Sequence, residues 1–264
     1  LNTETITIRE QTYTAWNVSN VTDISDMFRG AEKFNQIINK WDVSNVTNII
    51  RMFYNAYDFN QDINEWDVSN VTDLYSLFLS ATSFNKPIGN WDVSNVTSCQ
   101  YTFLNASVFN QSINTEEITK NGITYVSWDT TNVTIMEQMF SNALEFNQDI
   151  SNWNTSNVTN MNSMFKTTNN FNQDINSKVV TVGNNTYIAW DTLNVTSMSQ
   201  MFDSATNFNE DISKWNTSNV TNMNNMFNNA TEFNQNISEK QIVNEITYTA
   251  WDTSKVVSMI DMFN

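Results

Sequence analysis

The sequence predicts a repeat solenoid of mixed α/β character, with one short strand and one short helix per 25-residue coil and β-hairpins inserted between some coils. Three observations predict it. Tryptophan recurs at 16, 41, 66, 91, 128, 153, 190, 215 and 251, at spacings of 25 residues or, where an insert intervenes, 36 or 37. With Trp as position 1, all 17 Phe fall at position 13 or 19 and all 12 Met at position 9 or 12. A side chain that returns at one phase and appears nowhere else is a core layer, because every coil must offer its neighbours the same apolar surface. Positions 9, 12, 13 and 16 are apolar, which is the i, i+3, i+4, i+7 spacing of one helix face.

Taken in order, the unit begins with Trp, Asp, Val and Ser, whose alternation reads as a short strand with Trp and Val inward. Thr at position 7 is placed to cap a helix carrying the apolar stripe. A turn-forming residue at position 15 (Gly30, Asn55, Asn105, Asn229) closes that helix. Phe-Asn-Gln-Asp-Ile then makes an irregular corner whose Phe and Ile plug the core. Each coil buries about eight apolar side chains, at about 1.5–3 kcal/mol apiece, and most of that burial requires a neighbour. Asn at positions 5 and 20 is placed to form hydrogen-bonded ladders that satisfy backbone groups at the corners. The array amounts to eight full coils and a shortened ninth.

Before Trp128, Trp190 and Trp251 lie inserts at about 116–127, 178–189 and 239–250, and residues 1–15 look like the tail of another. Each carries Tyr three residues before Trp: Tyr13, Tyr125, Tyr187 and Tyr248. Asn121-Gly122 between alternating residues is a strong hairpin signal, and Gly183-Asn184 and Asn244 are weaker ones. From Trp128 onward an insert precedes every second coil. Two coils advance about the width of two paired strands, so successive hairpins are expected to join into a second sheet. Independent surface loops are the alternative.

Composition narrows the function. Net charge is −16, from 12 basic and 28 acidic residues, which repels nucleic acid and anionic membrane surfaces. No run of 18 apolar residues is present to insert into a bilayer. The chain has no His, and its single cysteine, Cys99, occupies core position 9, so neither a His-based triad nor a disulfide is available. The carboxylates recur in register rather than gathering at one site, so no catalytic residue is assigned and the chain is expected not to be an enzyme. Rows of Asp at position 22 (Asp62, Asp149, Asp174, Asp211) are the residues that would hold calcium if a cation stabilises the array. Otherwise no cofactor is expected. The Asn-Val-Thr sequons created by position 5 are expected to be structural rather than glycosylated.

The unit W-[DN]-[VT]-S-N-V-T-x-M-x-x-M-F-x-x-A-x-x-F-N-Q-D-I, best seen from Trp41 to Ile63, resembles the repeat of BspA-like leucine-rich-repeat surface proteins, the form found in mycoplasma surface lipoproteins. The resemblance covers nearly the whole chain. It implies a leucine-rich-repeat-like α/β solenoid and an exported surface protein that engages protein or glycan ligands on a host or neighbouring cell. The expected role is therefore a non-enzymatic, extracellular adhesion or protein-interaction module, and the insert tyrosines Tyr13, Tyr125, Tyr187 and Tyr248 are its candidate anchors. The alternative is a structural building block of a stalk, fibre or filament, in which the partner is a further copy of the chain. The opening on an insert and the close within a repeat suggest a segment of a longer protein.

Overall fold

The computed structural model describes residues 5–8, 11–14, 16–238, 240–242 and 247–264, with only the backbone of 5–8, 11–14, 241 and 242. From Trp16 onward the 25-residue units stack in register. Parallel bridges at position 8 join Asp23 to Asn48, and run from Asp73 through Ser98, Ile135, Asn160, Ser197 and Asn222 to Ser258.

The predicted helix is absent. Among the described residues there is no helix, and the named strands are eight short ones paired into four separate antiparallel two-stranded sheets. Positions 7–15 instead form a chain of tight turns. Within the second coil, Met52 N donates to Ile49 O, Tyr54 N to Arg51 O and Ala56 N to Phe53 O. The intervening amides reach across to the next coil: Arg51 N to Tyr75 O, Phe53 N to Leu77 O and Asn55 N to Leu79 O. Positions 11 and 15 have positive φ, as in Asp26, Arg51, Asn55, Ser76, Ser80 and Gly30, the signature of a type II turn at its third residue.

The physical reason for the difference lies in where the amides find partners. A helix of about two turns gives few i→i−4 bonds for its nucleation cost, whereas the stack gives every second amide an inter-coil acceptor. The i, i+3, i+4, i+7 spacing serves either conformation, since the turn ribbon also carries positions 9, 12, 13 and 16 inward. The strand expected around position 1 is likewise absent. Trp41 and Val43 do point inward, each 3% exposed, but residues 41–43 lie between two turns and join no strand. The α/β leucine-rich-repeat-like class is therefore replaced by a stack of turn-built coils.

The core is a set of aromatic columns. In each coil the Phe at position 13 lies face to face with the Phe at position 19, with centroids 3.8–4.1 Å apart, as in Phe28–Phe34 and Phe78–Phe84. Position-13 rings of successive coils follow at 5.4–5.8 Å and tryptophans at 6.3–6.5 Å. From Trp66 onward each indole N–H has a fixed acceptor: Trp66 Nε1 donates to Ile38 O at 3.2 Å and Trp91 Nε1 to Ile63 O at 3.1 Å. Among the described residues, Trp41 Nε1 is the buried side-chain polar atom without a partner. Leu1, which stands to Trp16 as Ile113 stands to Trp128, lies outside the described residues.

Asn ladders run along two corners. Asn60 Oδ1 accepts Asn85 N at 3.0 Å, and Asn85 Oδ1 accepts Asn110 N at 2.9 Å. At position 5, Asn45 Nδ2 donates to Ser19 O and Asn70 Nδ2 to Ser44 O, each at 2.8 Å.

The hairpins are β1 (Thr5–Ile8) with β2 (Gln11–Thr14), β3 (Glu116–Lys120) with β4 (Ile123–Ser127), β5 (Lys178–Val182) with β6 (Asn185–Ala189), and β7 (Lys240–Ile242) with β8 (Tyr248–Ala250). Asn121 and Gly122 have φ of 54° and 81°, the type I′ turn that suits strand twist. The turn around Asn244 lies outside the described residues. Among the described residues no strand of one hairpin pairs with a strand of another, so the expected second sheet is not formed there. Instead, β5–β6 leans on β3–β4. The Gly183 turn rests so closely on the root of β3–β4 that an added Cβ would collide with the Glu117 carboxylate.

Each insertion is absorbed at one residue. In uninterrupted coils Trp N donates to the Ile three residues earlier, as Trp91 N does to Ile88 O. After a hairpin, Trp128, Trp190 and Trp251 take positive φ, and their N–H groups donate to Trp91 O, Trp153 O and Trp215 O of the preceding coil. The ring stays in its column while the backbone enters from another direction.

Candidate interaction surface

The insert tyrosines are hairpin anchors. Tyr125 Oη donates to Asn90 O, Tyr187 Oη to Asn152 O and Tyr248 Oη to Lys214 O, each at 2.5 Å. Each phenol thus pins its hairpin to the last residue of an earlier coil. Burial, with the nearby Asp129 carboxylate, pushes the Tyr187 phenol up to about 12. Burial raises Tyr125 and Tyr248 as well, in Tyr125 with help from Asp92, Glu65 and Asp67. Tyr13 lies in β2 opposite Ile6, and its side chain is outside the described residues.

Beneath two hairpins the anchored tyrosines line clefts. The cleft under β3–β4 has a volume of about 320 Å³ and is bounded by Trp66, Asp67, Ser69, Asp92, Ile123 and Tyr125. Lys120 closes its rim by pairing with Glu65 at 3.3 Å. The cleft under β5–β6, about 370 Å³, is bounded by Asp129, Thr131, Asn154, Val182, Asn185 and Tyr187.

The position-22 carboxylates considered as calcium ligands serve separate turns. Asp62 accepts Asn64 N, and Asp174 accepts Asn176 N and pairs with Lys178 at 2.7 Å. Asp149 accepts Ser151 N and Asn114 Nδ2, while Asp211 accepts Ser213 N and Asn176 Nδ2. Among the described residues, no group of three or more acidic or sulfur side chains gathers in a way that would hold a metal. Cys99 is fully buried, and burial raises its thiol, so it is a core residue rather than a nucleophile.

A second surface was not localised by sequence reasoning, although its Tyr54, Tyr75 and Tyr101 stand out as aromatics away from the core positions. Positions 10, 11 and 14 of the turn ribbon make a partly exposed face, with Ser76, Ser141, Ser163 and Asp203 buried, and differ from coil to coil, while positions 13 and 19 hold Phe. In coils one to four this face carries Arg29, Arg51, Tyr54, Tyr75, Leu79 and Tyr101, all outside the buried core. The Arg29 guanidinium lies 5.1 Å from the centre of the Tyr54 ring, and Tyr75 meets Tyr101 edge to face at 5.6 Å. Arg51 is fixed by Asp26 at 2.6 Å. In coils five to eight the same positions are mostly Asn, Ser and Gln. Tyr and Arg are the residues that most often anchor protein interfaces. The available signal was not a motif but the contrast between positions that repeat and positions that vary.

A family model described as "Mycoplasma protein of unknown function, DUF285" matches residues 2–116, 114–187 and 177–264, three tandem segments that together span nearly the whole chain. No curated protein and no solved structure gives a significant match.

Proposed function

The chain belongs to the DUF285 family of mycoplasma repeat proteins, and from that premise we propose that it is a non-enzymatic interaction module working at the cell surface. The observation that carries this reading is the Tyr- and Arg-bearing face of coils one to four. The fold repeats its interior and varies its exterior there, which is how a rigid array is adapted to a particular partner. The partner is a protein or glycan on a host or neighbouring cell. The W-D-V-S-N-V-T repeat supports placing the chain with BspA-like surface proteins, and an extracellular location follows from that likeness. The face needs no cofactor to present these side chains.

Adhesion of beads coated with the folded chain tests the proposal. Beads should bind animal or bacterial cell layers, and the variant Tyr54→Ser, Tyr75→Ser, Tyr101→Ser should bind at least about tenfold less while melting at a similar temperature. Equal binding by wild-type and blank beads would sink the adhesive reading. Retained binding by the variant would remove this face from it.

A further inference from the structure

The position-5 ladder leaves an acceptor at the surface of each coil. One N–H of each amide is committed to the stack: Asn95 donates to Ser69 O at 2.8 Å and Asn132 to Ser94 O at 2.7 Å, repeating the Asn45 and Asn70 bonds. Each exposed Asn keeps its carbonyl oxygen Oδ1, beside the second N–H, for solvent or a ligand. The corner presents a lane of acceptors, one per coil, at the inter-coil spacing of about 4.8 Å.

The ninth coil shows what such an acceptor takes. It carries Lys255 at position 5 in place of Asn, and Lys255 Nζ donates to Asn219 Oδ1 of the preceding coil at 2.7 Å. The same ammonium lies within electrostatic reach of Asp252 at position 2, whose carboxyl is held low first by its bonds from Ser254 and then by Lys255. An acceptor that bonds the ammonium directly and a more distant carboxylate from the next coil thus form its seat. The repeat places equivalent pairs in unbroken succession: Asn20 with Asp42, Asn45 with Asp67, Asn70 with Asp92, and Asn95 with Asp129. In those coils position 5 is Asn, too short to do what Lys255 does.

We propose that this strip, from Asn20 to Asp129, is a docking surface for a lysine-rich extended segment of a partner protein, each ammonium seated between an Asn Oδ1 and the position-2 carboxylate of the next coil. The inference is independent of the Tyr-bearing face. Three features select this occupant. The net charge of −16 draws cations from a distance. Each seat offers a single amide oxygen beside a carboxylate whose Oδ1 already accepts a turn amide, as Asp67 Oδ1 accepts Ser69 N and Oγ. That suits the compact, rotatable donors of ammonium better than the planar fork of guanidinium, which wants two parallel acceptors. Finally, the middle of the strip is walled by β3–β4. Asp67 and Asp92 line the cleft of about 320 Å³ opposite Ile123, which is 68% exposed and gives an alkyl stem something to lie on. Same-side residues of an extended peptide are about 6.6–6.8 Å apart, and four-carbon lysine stems take up the difference from the coil spacing.

The test uses the folded chain and a labelled oligolysine of about eight residues, about 27 Å when extended, followed by anisotropy at about 0.15 M salt. Oligolysine should bind at least about fivefold more tightly than oligoarginine of equal length. Asn45→Lys and Asn95→Lys together copy the natural Lys255, each with an Asn retained in the preceding coil (Asn20 and Asn70), and they remove the acceptors of the other two seats, so binding should fall at least about tenfold. A charge-matched control, Ser107→Lys and Asn169→Lys, should stay within about threefold of wild type. On the wild-type chain the side-chain amide resonances of Asn45, Asn70 and Asn95 should shift on titration, and those of the other ladder, Asn60 and Asn85, should not. That measurement stands even if the double variant fails to fold. Equal loss in both double variants, arginine binding as tight as lysine, or amide shifts confined to other residues would each overturn the proposal. Each leaves the Tyr-bearing face untouched, which bead adhesion reads separately.

Discussion

The indole N–H of Trp128 donates to the carbonyl of Ile88 at 2.8 Å, although 40 residues and a hairpin separate them. The bond joins two buried groups from different turns of the stack, and Trp153 with Ile113 and Trp190 with Ile150 repeat it at 2.9 Å. Trp128→Phe keeps an aromatic ring in the column but leaves the Ile88 carbonyl with the Trp91 amide as its remaining donor. A loss of about 0.5–1.5 kcal/mol is expected from the missing bond, with a further packing loss from the smaller ring. Urea denaturation would measure it, and a change below about 0.5 kcal/mol would mean that the bond contributes little.

Thr167 sits at position 15 with φ of 56°, a region costly for a β-branched residue and readily adopted by Asn. Other coils place Asn55, Asn105, Asn142 and Asn229 there. Thr167→Asn should stabilise the chain by about 0.5–1 kcal/mol. The converse, Asn55→Val, should destabilise it by at least as much, and thermal unfolding of the two variants checks both signs.

Gly183→Ala tests how the hairpins lie over one another. The residue has φ of 56°, and its added Cβ would meet Glu117. The tip of β5–β6 should lift from the root of β3–β4, and amide exchange at 178–189 should quicken about tenfold. Exchange at the aromatic columns should remain unchanged. Unaltered exchange in the hairpin would show that the two hairpins are energetically separate.

Alkaline pH should loosen the same hairpin. Tyr187 in the folded chain holds its proton up to about 12, against about 10 for a free phenol. Below the unfolded value both states are protonated and the anchor contributes fully. Between about pH 10 and 12 the unfolded state releases its proton first, so stability falls as pH rises. Tyr187→Phe should lack this alkaline step and should start from a weaker hairpin at neutral pH, because Asn152 O loses its donor.

The interior was legible because Trp, Phe and Met each return at fixed phases, and that regularity can be read without coordinates. The Asn ladders could be anticipated for the same reason. The local conformation was not legible, since positions 9, 12, 13 and 16 satisfy a helix face and a ribbon of turns equally well. Residues such as Arg51 and Tyr101, at positive φ without being glycine, carry no compositional mark of that geometry. Only the inter-coil acceptors, Tyr75 O for Arg51 N and Glu137 O for Tyr101 N, explain why they adopt it. Tyr125 was singled out for its place beside Trp128, but its hydroxyl turned out to hold the hairpin. Tyr54, Tyr75 and Tyr101 were visible as aromatics outside the core phases. Placing them on one face required the contacts that gather them, Arg29 over Tyr54 and Tyr75 against Tyr101.

In coils one to eight the amides of positions 9, 11, 13 and 15, Ile49 apart, donate toward the following coil, as Ile24 N does to Asn48 O and Cys99 N to Ile135 O. Their peptide dipoles on this side of the stack therefore add rather than cancel, unlike those of an ordinary sheet. The face bearing Tyr54 and Tyr75 is electrically graded along its length, with carbonyl oxygens directed toward the early coils and N–H groups toward the late ones. A partner with separated charges would meet this gradient and be oriented along the axis, so the array distinguishes one direction of approach from its reverse.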